Sequence, residues 1–390
     1  MGKQNPLLEL EKLGQAVWLD SIRRGQILSG DLQKLIDGDG LSGETSNPSI
    51  FEKAIGGSSD YDSMVKEGKT SLEIYETIAI GDVQMACDVF RPVYDRTSGA
   101  DGFVSLEVSP KLAYDTAGTI DEARRFFKAV NRPNVMIKIP GTRQGVPAIE
   151  QCLYEGININ VTLLFAVSAY EQVAWAYVQA LERRLAENKP IHNVASVASF
   201  FVSRIDTLAD KLEEEKARAT SDPKVKAKLE ALNGKLAVAN AKMAYQRFKV
   251  IFGDARFVAL KEKGKARVQR PLWASTSTKN PHYPDTLYVD TLIGPDTVNT
   301  LPEETLVAYR DHGRPQLTIE QDLDGMRGTL QGLAEVGISL DAITDKVLEE
   351  GVVKFDDALN KLLQVIETKR AAIAAGAQKH LSASGSAKSG

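Results

Sequence analysis

The chain has 390 residues, of which 43% are hydrophobic and 26% are charged, and its formal net charge is −4. This composition is typical of a globular protein with a sizeable core. It argues against a nucleic-acid-binding surface, which needs clustered lysine and arginine, and no apolar run approaches the ~18 residues of a membrane span, so we expect neither nucleic acid nor membrane as a partner.

Eight short apolar or β-branched segments alternate with longer helical patterns along the chain. Several of them are apolar on both faces, as expected of parallel strands that helices cover. Repeated alternation of strand and helix predicts a parallel sheet, and eight repeats favour a closed (β/α)8 TIM barrel over a doubly wound open sheet. The predicted strands are Ala16–Leu19, Gly43–Ser46, Gly102–Glu107, Val135–Ile139, Ile157–Leu163, Asn193–Val197, Arg267–Trp273 and Leu287–Val289.

Three of the predicted helices begin with a capping box, in which Ser or Thr at the N-cap is followed three residues later by Glu. These boxes begin at Thr70, Thr119 and Ser168. After Ser168, apolar residues from Tyr170 to Leu185 recur at helical spacing and predict one buried face. The sequence Asn188-Lys-Pro190 then predicts the end of that helix.

Additional helices are predicted outside the strand–helix repeat. The connection over 206–265 is long and highly charged, which favours a pair of solvated helices beside the barrel over a binding tail. A helical region over 319–369 carries apolar residues at helical spacing and is expected to pack on the barrel. We therefore predict a single barrel domain over 1–375 with inserted and C-terminal helices. The Ser-, Ala-, Gly- and Lys-rich segment 376–390 is predicted to be a disordered tail.

The sequence also predicts a cytoplasmic protein. Its two cysteines, Cys87 and Cys152, stand in helix-like and apolar surroundings without metal-ligand spacing. This favours buried free thiols in a reducing compartment over a disulfide. The segment Met1–Pro6 has no apolar stretch after its single charge, so we expect no signal peptide.

Lys138 is the most informative residue because it lies inside the apolar segment Asn134–Thr142. A lysine in a barrel interior is costly unless it is paired or neutral. Burial disfavours the charged form of an amine, and an unprotonated amine can attack a carbonyl to form an imine. A lysine that reaches solvent from the strand end, or that pairs with a carboxylate, would fit the same pattern, and the chemistry of this segment alone leaves these alternatives open.

Two carboxylates occupy comparable places at strand ends. Asp20 closes the segment Ala16–Asp20, and Glu107 lies near the end of Phe103–Val108. Polar residues at the ends of barrel strands gather at one rim, where the active sites of barrels lie. Each carboxylate alone is better explained as an exposed loop acid or a helix cap. Together with Lys138, three such residues on three strands favour acid–base catalysis.

Four motifs carry a resemblance to a known family. They stand in the family's order and spacing, and with Trp18-Leu-Asp20 they extend over roughly residues 10 to 310. The chain resembles the transaldolases, class I enzymes that form a Schiff base, and its length is similar to that of a longer-chain subgroup. The motifs are Glu44-Thr-Ser-Asn-Pro-Ser49, Ser105-Leu-Glu-Val-Ser109, Ile137-Lys-Ile-Pro-Gly-Thr142 and Gly156-Ile-Asn-Ile-Asn-Val-Thr-Leu-Leu-Phe165.

The resemblance implies catalytic roles for four residues. Lys138 is the expected Schiff-base lysine, and Asp20 is the expected acid and base for breaking and forming the carbon–carbon bond. Glu107 and Thr162 are expected to hold the water that relays protons during imine formation.

The resemblance also implies two sets of substrate-binding residues. Asn47 and Asn160 would bind hydroxyl groups, which suits a neutral amide because it both donates and accepts, although capping of turns and strand ends would also explain them. Ser199 and Arg204 lie in a segment similar to the one whose arginine grips substrate phosphate. The other phosphate ligands are expected after the seventh strand, where the family usually carries Ala-Ser and a second arginine. By this resemblance, Ser275 is expected to keep its role and Lys279 to replace that arginine as a point charge.

The function that the resemblance implies is that of a transaldolase of the pentose phosphate pathway. Such an enzyme transfers a dihydroxyacetone unit from sedoheptulose 7-phosphate or fructose 6-phosphate to glyceraldehyde 3-phosphate or erythrose 4-phosphate. We expect sugar phosphate substrates, no cofactor and no metal, because a protonated imine serves as the electron sink. The alternatives are an aldolase that releases free dihydroxyacetone and a non-catalytic barrel that binds sugar phosphates. The sequence leaves open whether the chain forms a homo-oligomer.

Overall fold

The computed structural model describes residues 5–65 and 70–386, with side chains as far as residue 375. Eight parallel strands form a closed barrel in sequence order, and the eighth strand pairs with the first. The predicted (β/α)8 barrel is thus confirmed, and the open sheet is ruled out. The strands are β1 (Gln15–Leu19), β2 (Leu41–Thr45), β3 (Phe103–Glu107), β4 (Val135–Pro140), β5 (Ile159–Leu164), β6 (Ser196–Phe201), β7 (Arg270–Ala274) and β8 (Thr297–Leu301).

The prediction of the eighth strand was wrong. The segment Leu287–Val289 belongs to a short helix, and the strand begins ten residues later, at Thr297. Three of the five residues of β8 are polar, yet all five are buried, with Thr297 and Asn299 on the side of the strand opposite Thr300, which lines the cavity. Prediction from apolar runs in the sequence does not detect such a strand. The sixth strand also begins and ends later than predicted.

Helices connect the strands and cover the outside of the barrel, as the alternating pattern predicts. They are α1 (Pro6–Lys12), α2 (Arg24–Leu28), α3 (Asp31–Asp39), α4 (Pro48–Gly57), α5 (Asp62–Val65), α6 (Ser71–Arg96), α7 (Thr116–Val130), α8 (Gly145–Glu155), α9 (Val167–Ala186), α10 (Ser203–Ala219), α11 (Pro223–Leu232), α12 (Leu236–Phe252), α13 (Ala255–Gly264), α14 (Leu287–Asp290), α15 (Glu303–His312), α16 (Leu323–Glu335) and α17 (Leu340–Ser386).

One of the three predicted capping boxes is confirmed. The Thr70 backbone N–H donates to the Glu73 carboxylate at 2.8 Å, and the Thr70 hydroxyl accepts from the Glu73 backbone N–H at 3.3 Å. The other two predictions were wrong. Helix α7 begins three residues before Thr119 because Asp115 caps it, and α9 begins one residue before Ser168 without a side-chain cap. The predicted apolar face of α9 is buried except for Leu185, which is half-buried, and the helix ends before Asn188.

The charged connection over 206–265 contains more helix than predicted. It holds most of α10 together with α11, α12 and α13, so a pair of solvated helices was wrong. Helix α12 is largely buried and packs between α9 and α16. Its run of alanines and aromatic residues is apolar enough for the core, although charged segments flank it on both sides.

The last helix packs along the outside of the barrel. Helix α17 lies against α4, α6 and α10, with Leu359, Leu362 and Ile366 buried, which confirms that this region packs on the barrel. The backbone is helical as far as Ser386, whereas the side chains of the predicted tail, 376–390, lie outside the described residues. The disordered tail and the single-domain boundary stay predictions.

The described residues also bear on the predictions for the cysteines and for membrane spans. Cys87 in α6 and Cys152 in α8 are buried free thiols, as predicted, and burial raises the pKa of Cys152 to about 12. Within residues 5–65 and 70–386 we find no helix with both the length and the apolar character that a bilayer crossing needs.

The lower part of the barrel interior is filled by Trp18. Its indole N–H donates to Asp101 Oδ1 at 2.8 Å, and the side chain is fully buried. Gly43 makes room for it, because a Cβ at this position would lie 2.5 Å from the Trp18 ring. The polar residues of the strand ends lie above this filled part of the interior, at the carboxyl end.

Candidate active site

A cavity of about 660 Å³ opens at the carboxyl ends of the strands. This is the face on which the active sites of (β/α)8 barrels lie. Three predicted site residues, Glu107, Asn160 and Thr162, do not line the cavity but are buried in the adjoining strands. The seven predicted residues that do line it are Asp20, Asn47, Lys138, Ser199, Arg204, Ser275 and Lys279.

Lys138 lies on β4 at the floor of the cavity and is 4% exposed. Its Nζ is 3.3 Å from Glu107 Oε2 and donates a 3.2 Å hydrogen bond to the carbonyl oxygen of Ser46. The strand register places Glu107 beside Lys138 on the neighbouring strand. Lys138 therefore pairs with a carboxylate, which was one of the alternatives that the sequence left open, and it also lines the cavity.

Glu107 has an unusual protonation equilibrium. Burial raises the pKa of Glu107 to about 7, although the positive charge of Lys138 opposes the shift. Neither carboxylate oxygen accepts a regular hydrogen bond from the described residues, so the ion pair is its main polar contact. A carboxyl group that titrates near neutral pH can both give and take a proton during a reaction.

Thr162 lies on β5, on the other side of Lys138 from Glu107. The register sets Asn160 opposite Lys138 and Thr162 opposite Pro140, one step nearer the rim. The Thr162 hydroxyl is fully buried and has no hydrogen-bond partner among the described residues. A buried hydroxyl normally finds a partner, so this group is suited to bind a small polar molecule.

Asp20 follows β1 and is held by the neighbouring strand. Its Oδ1 accepts a 2.7 Å hydrogen bond from Thr45 Oγ1, and its backbone N–H donates to the carbonyl oxygen of Leu301 at 2.8 Å. Burial raises the pKa of Asp20, while the charge of Lys138 and the Thr45 hydrogen bond lower it. The side chain is therefore fixed in orientation and is a stronger proton acceptor than an ordinary aspartate.

The two asparagines are held differently. Asn160 is fully buried: its Nδ2 donates to Ser105 Oγ at 3.0 Å, and its Oδ1 accepts from Ser199 Oγ at 2.6 Å. Asn47 is the N-cap of α4, where its Oδ1 accepts from the Ile50 backbone N–H at 3.0 Å. Asn47 thus has the capping role that the sequence allowed, and it also lines the cavity.

Arg204 stands at the second position of α10, next to the cavity. Its guanidinium carbon is 5.4 Å from the ring centre of Phe201 and 5.8 Å from that of Phe355. Its Nη1 is buried and has no hydrogen-bond acceptor among the described residues. Burial lowers the pKa of Arg204, and the nearby carboxylates, Glu107 first, oppose this. The guanidinium is held by aromatic rings, which leaves its donors available to an anion.

The segment after β7 supplies the other polar groups of the rim. Ser275 has a left-handed backbone with φ of 56°, and its hydroxyl lies 2.9 Å from that of Ser203 at the start of α10. Lys279 is exposed and donates to Ser277 Oγ at 2.6 Å. The loop that carries Lys279 is therefore linked to the helix that carries Arg204.

Comparison with known proteins decides the family. Residues 17–366 match the model of the family described as transaldolase/fructose-6-phosphate aldolase. A transaldolase of Trichodesmium erythraeum is 48% identical over 371 residues, which cover 94% of this chain and 97% of that protein. A transaldolase of Mycobacterium marinum is 44% identical over 384 residues, which cover 96% of this chain and all of that protein.

The chain belongs to the transaldolase/fructose-6-phosphate aldolase family. A protein named transaldolase 2 from a Nostoc species has the same level of similarity, with 48% identity over 372 residues. The family predicted from the motifs is thus confirmed. The matched region contains all ten predicted site residues, whose individual roles stay predictions.

Sequence reasoning missed several residues of the cavity. Thr45 directly orients Asp20, and its place at a strand end inside a family-like motif was an available signal. Phe201 and Phe355 flank Arg204, and Phe355 comes from the distant helix α17. An aromatic residue on an apolar helix face has the same pattern as any core residue, so no local signal distinguishes Phe355.

Proposed function

We propose that this chain is a transaldolase that holds its ketose phosphate as a Schiff base on Lys138. The donor would be sedoheptulose 7-phosphate or fructose 6-phosphate, and the acceptor glyceraldehyde 3-phosphate or erythrose 4-phosphate. The observation that carries the proposal is the buried Lys138 amine at the cavity floor, 3.3 Å from Glu107. The named relatives, which match over nearly the whole chain, support the same transferase activity.

The first step joins the substrate to the enzyme. The Lys138 amine adds to the C2 carbonyl of the ketose, and the resulting carbinolamine loses water to give a protonated imine. Protons must reach the carbinolamine oxygen, and a carboxyl group with a pKa near 7 suits that transfer. Glu107 and Thr162 would hold the relay water, a role supported by their buried oxygens, which have no hydrogen-bond partner among the described residues.

The second step breaks the carbon–carbon bond. Asp20 takes the proton of the C4 hydroxyl, the C3–C4 bond breaks, and its electron pair moves into the protonated imine to form an enamine. The aldose phosphate then leaves. The raised pKa of Asp20 favours proton uptake, and the bond from Thr45 fixes the direction of its carboxylate.

Transfer to the acceptor reverses this chemistry. The enamine carbon attacks the aldehyde of the second sugar phosphate, and Asp20 returns its proton to the new hydroxyl. Hydrolysis of the imine then frees Lys138. The product aldose leaves before the acceptor binds, which gives ping-pong kinetics.

The remaining residues would recognise the two ends of the substrate. Asn47 and Asn160 would bind hydroxyls of the three-carbon unit, and Ser199 fixes the amide of Asn160. Arg204, Ser275 and Lys279 would bind the phosphate. An arginine can grip two phosphate oxygens at once, whereas a lysine acts as a point charge, so Arg204 would provide the directional contact.

The family description includes fructose-6-phosphate aldolases, so release of free dihydroxyacetone is the second candidate. The two activities are separated by incubating the protein with fructose 6-phosphate, with and without erythrose 4-phosphate. We expect sedoheptulose 7-phosphate to form only with the acceptor present, and little free dihydroxyacetone without it. Steady release of dihydroxyacetone without acceptor would identify an aldolase, and no turnover in either case would favour a non-catalytic barrel.

We also propose that the enzyme works in the cytoplasm. The two buried free thiols, Cys87 and Cys152, support a reducing compartment. Fractionation of cells followed by an activity assay tests this proposal, and activity confined to an extracellular fraction would contradict it.

A further inference from the structure

Helix α17, although it follows all eight strands of the barrel, contributes to the wall of the cavity. Phe355 is 5% exposed and lines the cavity. Its ring centre is 5.8 Å from Lys138 Nζ and 5.8 Å from Arg204 Cζ. One side chain of α17 is therefore in contact range of both the amine that would form the imine and the guanidinium that would bind phosphate.

Gly351 lies one helical turn before Phe355, on the same side of α17. A Cβ at this position would lie 3.3 Å from Arg204 Nη1 and 3.1 Å from Leu163 Cδ2. Both separations are tighter than ordinary van der Waals contact, so a methyl group here would press on the arginine. The missing side chain of Gly351 thus provides the space that the guanidinium occupies.

Arg204 itself is held by few polar contacts. Its Nη1 has no hydrogen-bond acceptor within the described residues, and the carboxylates near it act at longer range. Its position is instead defined by the rings of Phe201 and Phe355 and by the backbone at Gly351. Two of these three groups belong to α17.

Helix α17 is attached to neighbouring helices on the carboxyl-terminal side of Phe355. It packs along the length of α4, the helix that Asn47 caps. Lys361 Nζ is 3.1 Å from Glu52, and Lys369 Nζ is 2.9 Å from Asp62 and donates to the carbonyl oxygen of Ile55 at 2.9 Å. These contacts define the course of α17 after it leaves the cavity wall formed by Gly351 and Phe355.

We propose that Gly351 and Phe355 are positioning residues that fix Arg204 and so set the distance between Lys138 and the phosphate-binding site. By this means α17 favours sugars that carry a terminal phosphate over unphosphorylated sugars that have the same ketose group. The proposal rests on the proposed function, because it takes Arg204 as the phosphate ligand.

The sharpest test is Gly351→Ala, with Gly328→Ala as its matched control. Gly328 lies in α16, and a Cβ there would meet nothing within 4 Å. Alanine has a higher helix propensity than glycine, so Gly328→Ala should not unfold at a lower temperature, whereas the close contacts of the new methyl group oppose this gain in Gly351→Ala. We expect Gly351→Ala to raise KM for fructose 6-phosphate roughly 3- to 10-fold through misplacement of Arg204, and to leave kcat/KM for unphosphorylated fructose unchanged. Gly328→Ala should match the unsubstituted protein with both sugars.

Phe355 is tested by two substitutions. Phe355→Leu keeps an apolar side chain but removes the ring, and we expect KM for fructose 6-phosphate to rise roughly 2- to 30-fold, the range of a cation–π contact. Phe355→Tyr keeps the ring and should restore KM to near its original value. If Phe355→Leu and Phe355→Tyr lose activity equally, and do so with both fructose 6-phosphate and unphosphorylated fructose, Phe355 has a purely structural role and the proposal is overturned.

Arg204→Ala, measured in parallel, distinguishes a failure of the proposed phosphate role of Arg204 from a failure of the inference about α17. If it leaves KM for fructose 6-phosphate unchanged, the phosphate role of Arg204 fails, and with it the proposed function of this end of the cavity. If it raises KM while Gly351→Ala and Phe355→Leu do not, the inference about α17 alone fails. If the inference holds, Phe355→Leu adds less than about 2-fold in the Arg204→Ala background, because both substitutions remove the same interaction.

Discussion

Lys138 Nζ and Glu107 Oε2 face each other at 3.3 Å from adjacent strands, and both side chains are almost completely buried. A buried ion pair is costly to form and more costly to break, because removal of one partner leaves an uncompensated charge. The pair therefore holds the Lys138 amine, at the floor of the cavity, beside the buried Glu107 carboxyl group, whose pKa is raised. This arrangement suits imine chemistry better than it suits stability.

The first prediction concerns Glu107→Gln, which keeps the shape of the side chain and removes its proton transfer. Imine formation should slow, and kcat should fall by ~10²–10⁴. The pH profile of kcat/KM should also lose the ionisation near pH 7 that the raised pKa of Glu107 predicts.

The matched control for this change is Glu213→Gln. Glu213 is another buried carboxyl group without a hydrogen-bond partner among the described residues, but it lies on α10 away from the cavity. Its replacement should leave kcat unchanged. An equal loss in both variants would show that any neutralised buried carboxylate disturbs the fold, and would remove Glu107 from the mechanism.

The second prediction concerns Asp20→Ala. Loss of the acid and base for bond cleavage should lower kcat by ~10²–10⁴, while borohydride still traps the substrate on Lys138, because imine formation precedes cleavage. Stopped assays of turnover and mass spectrometry of the trapped protein measure the two steps separately. Normal turnover by the variant would show that Asp20 has been given the wrong role.

The third prediction concerns the phosphate end. Arg204→Ala should raise KM for fructose 6-phosphate by roughly 10- to 100-fold, equivalent to ~1.5–3 kcal/mol for a hydrogen bond to a charged group. Lys279→Ala should raise it less, because an exposed lysine supplies a less directional charge. Unphosphorylated fructose is the control substrate and should respond little to either change. Similar losses with both sugars would mean that Arg204 supports the fold.

The fourth prediction is a pH dependence of stability at Glu213. Burial raises the pKa of Glu213 to about 8, above that of an unfolded chain. The folded state therefore keeps its proton while the unfolded state loses it, and Glu213 costs stability increasingly as the pH rises from about 4.5 to 8.

Glu213→Gln removes this cost. Its Tm should exceed that of the unsubstituted protein by roughly 2 °C or more at pH 8, and the difference should shrink towards pH 4. Thermal unfolding at several pH values measures it. A Tm difference that stays constant with pH would show that the raised pKa does not contribute.

Much of the barrel and of the site could be predicted because both depend on local sequence. Glu107 ends an apolar strand, Asp20 follows one and Lys138 lies inside one, and parallel strands bring their carboxyl ends to one rim. The eighth strand escaped prediction because three of its five residues are polar, although the folded structure buries Thr297 and Asn299 completely. A strand of this kind is buried by tertiary structure that its own sequence does not show.

Contacts between distant segments could not be predicted for the same reason. Phe355 joins the cavity only because α17 packs along α4, and its own segment has the pattern of an ordinary core helix. Glu107 was predicted as a catalytic group from its strand end and motif. Its raised pKa, however, follows from the depth of burial, which the sequence alone does not give.

The most direct test of the central claim is to trap the imine. The protein is incubated with fructose 6-phosphate and borohydride, digested, and mapped by mass spectrometry. We predict loss of activity that depends on the sugar, together with a reduced adduct of a three-carbon or six-carbon unit on Lys138. Lys242 is an internal reference, since it is also buried but donates to the carbonyl oxygen of Gln321, and it should stay unlabelled. An adduct on another lysine, or no adduct at saturating substrate, would contradict the Schiff-base mechanism.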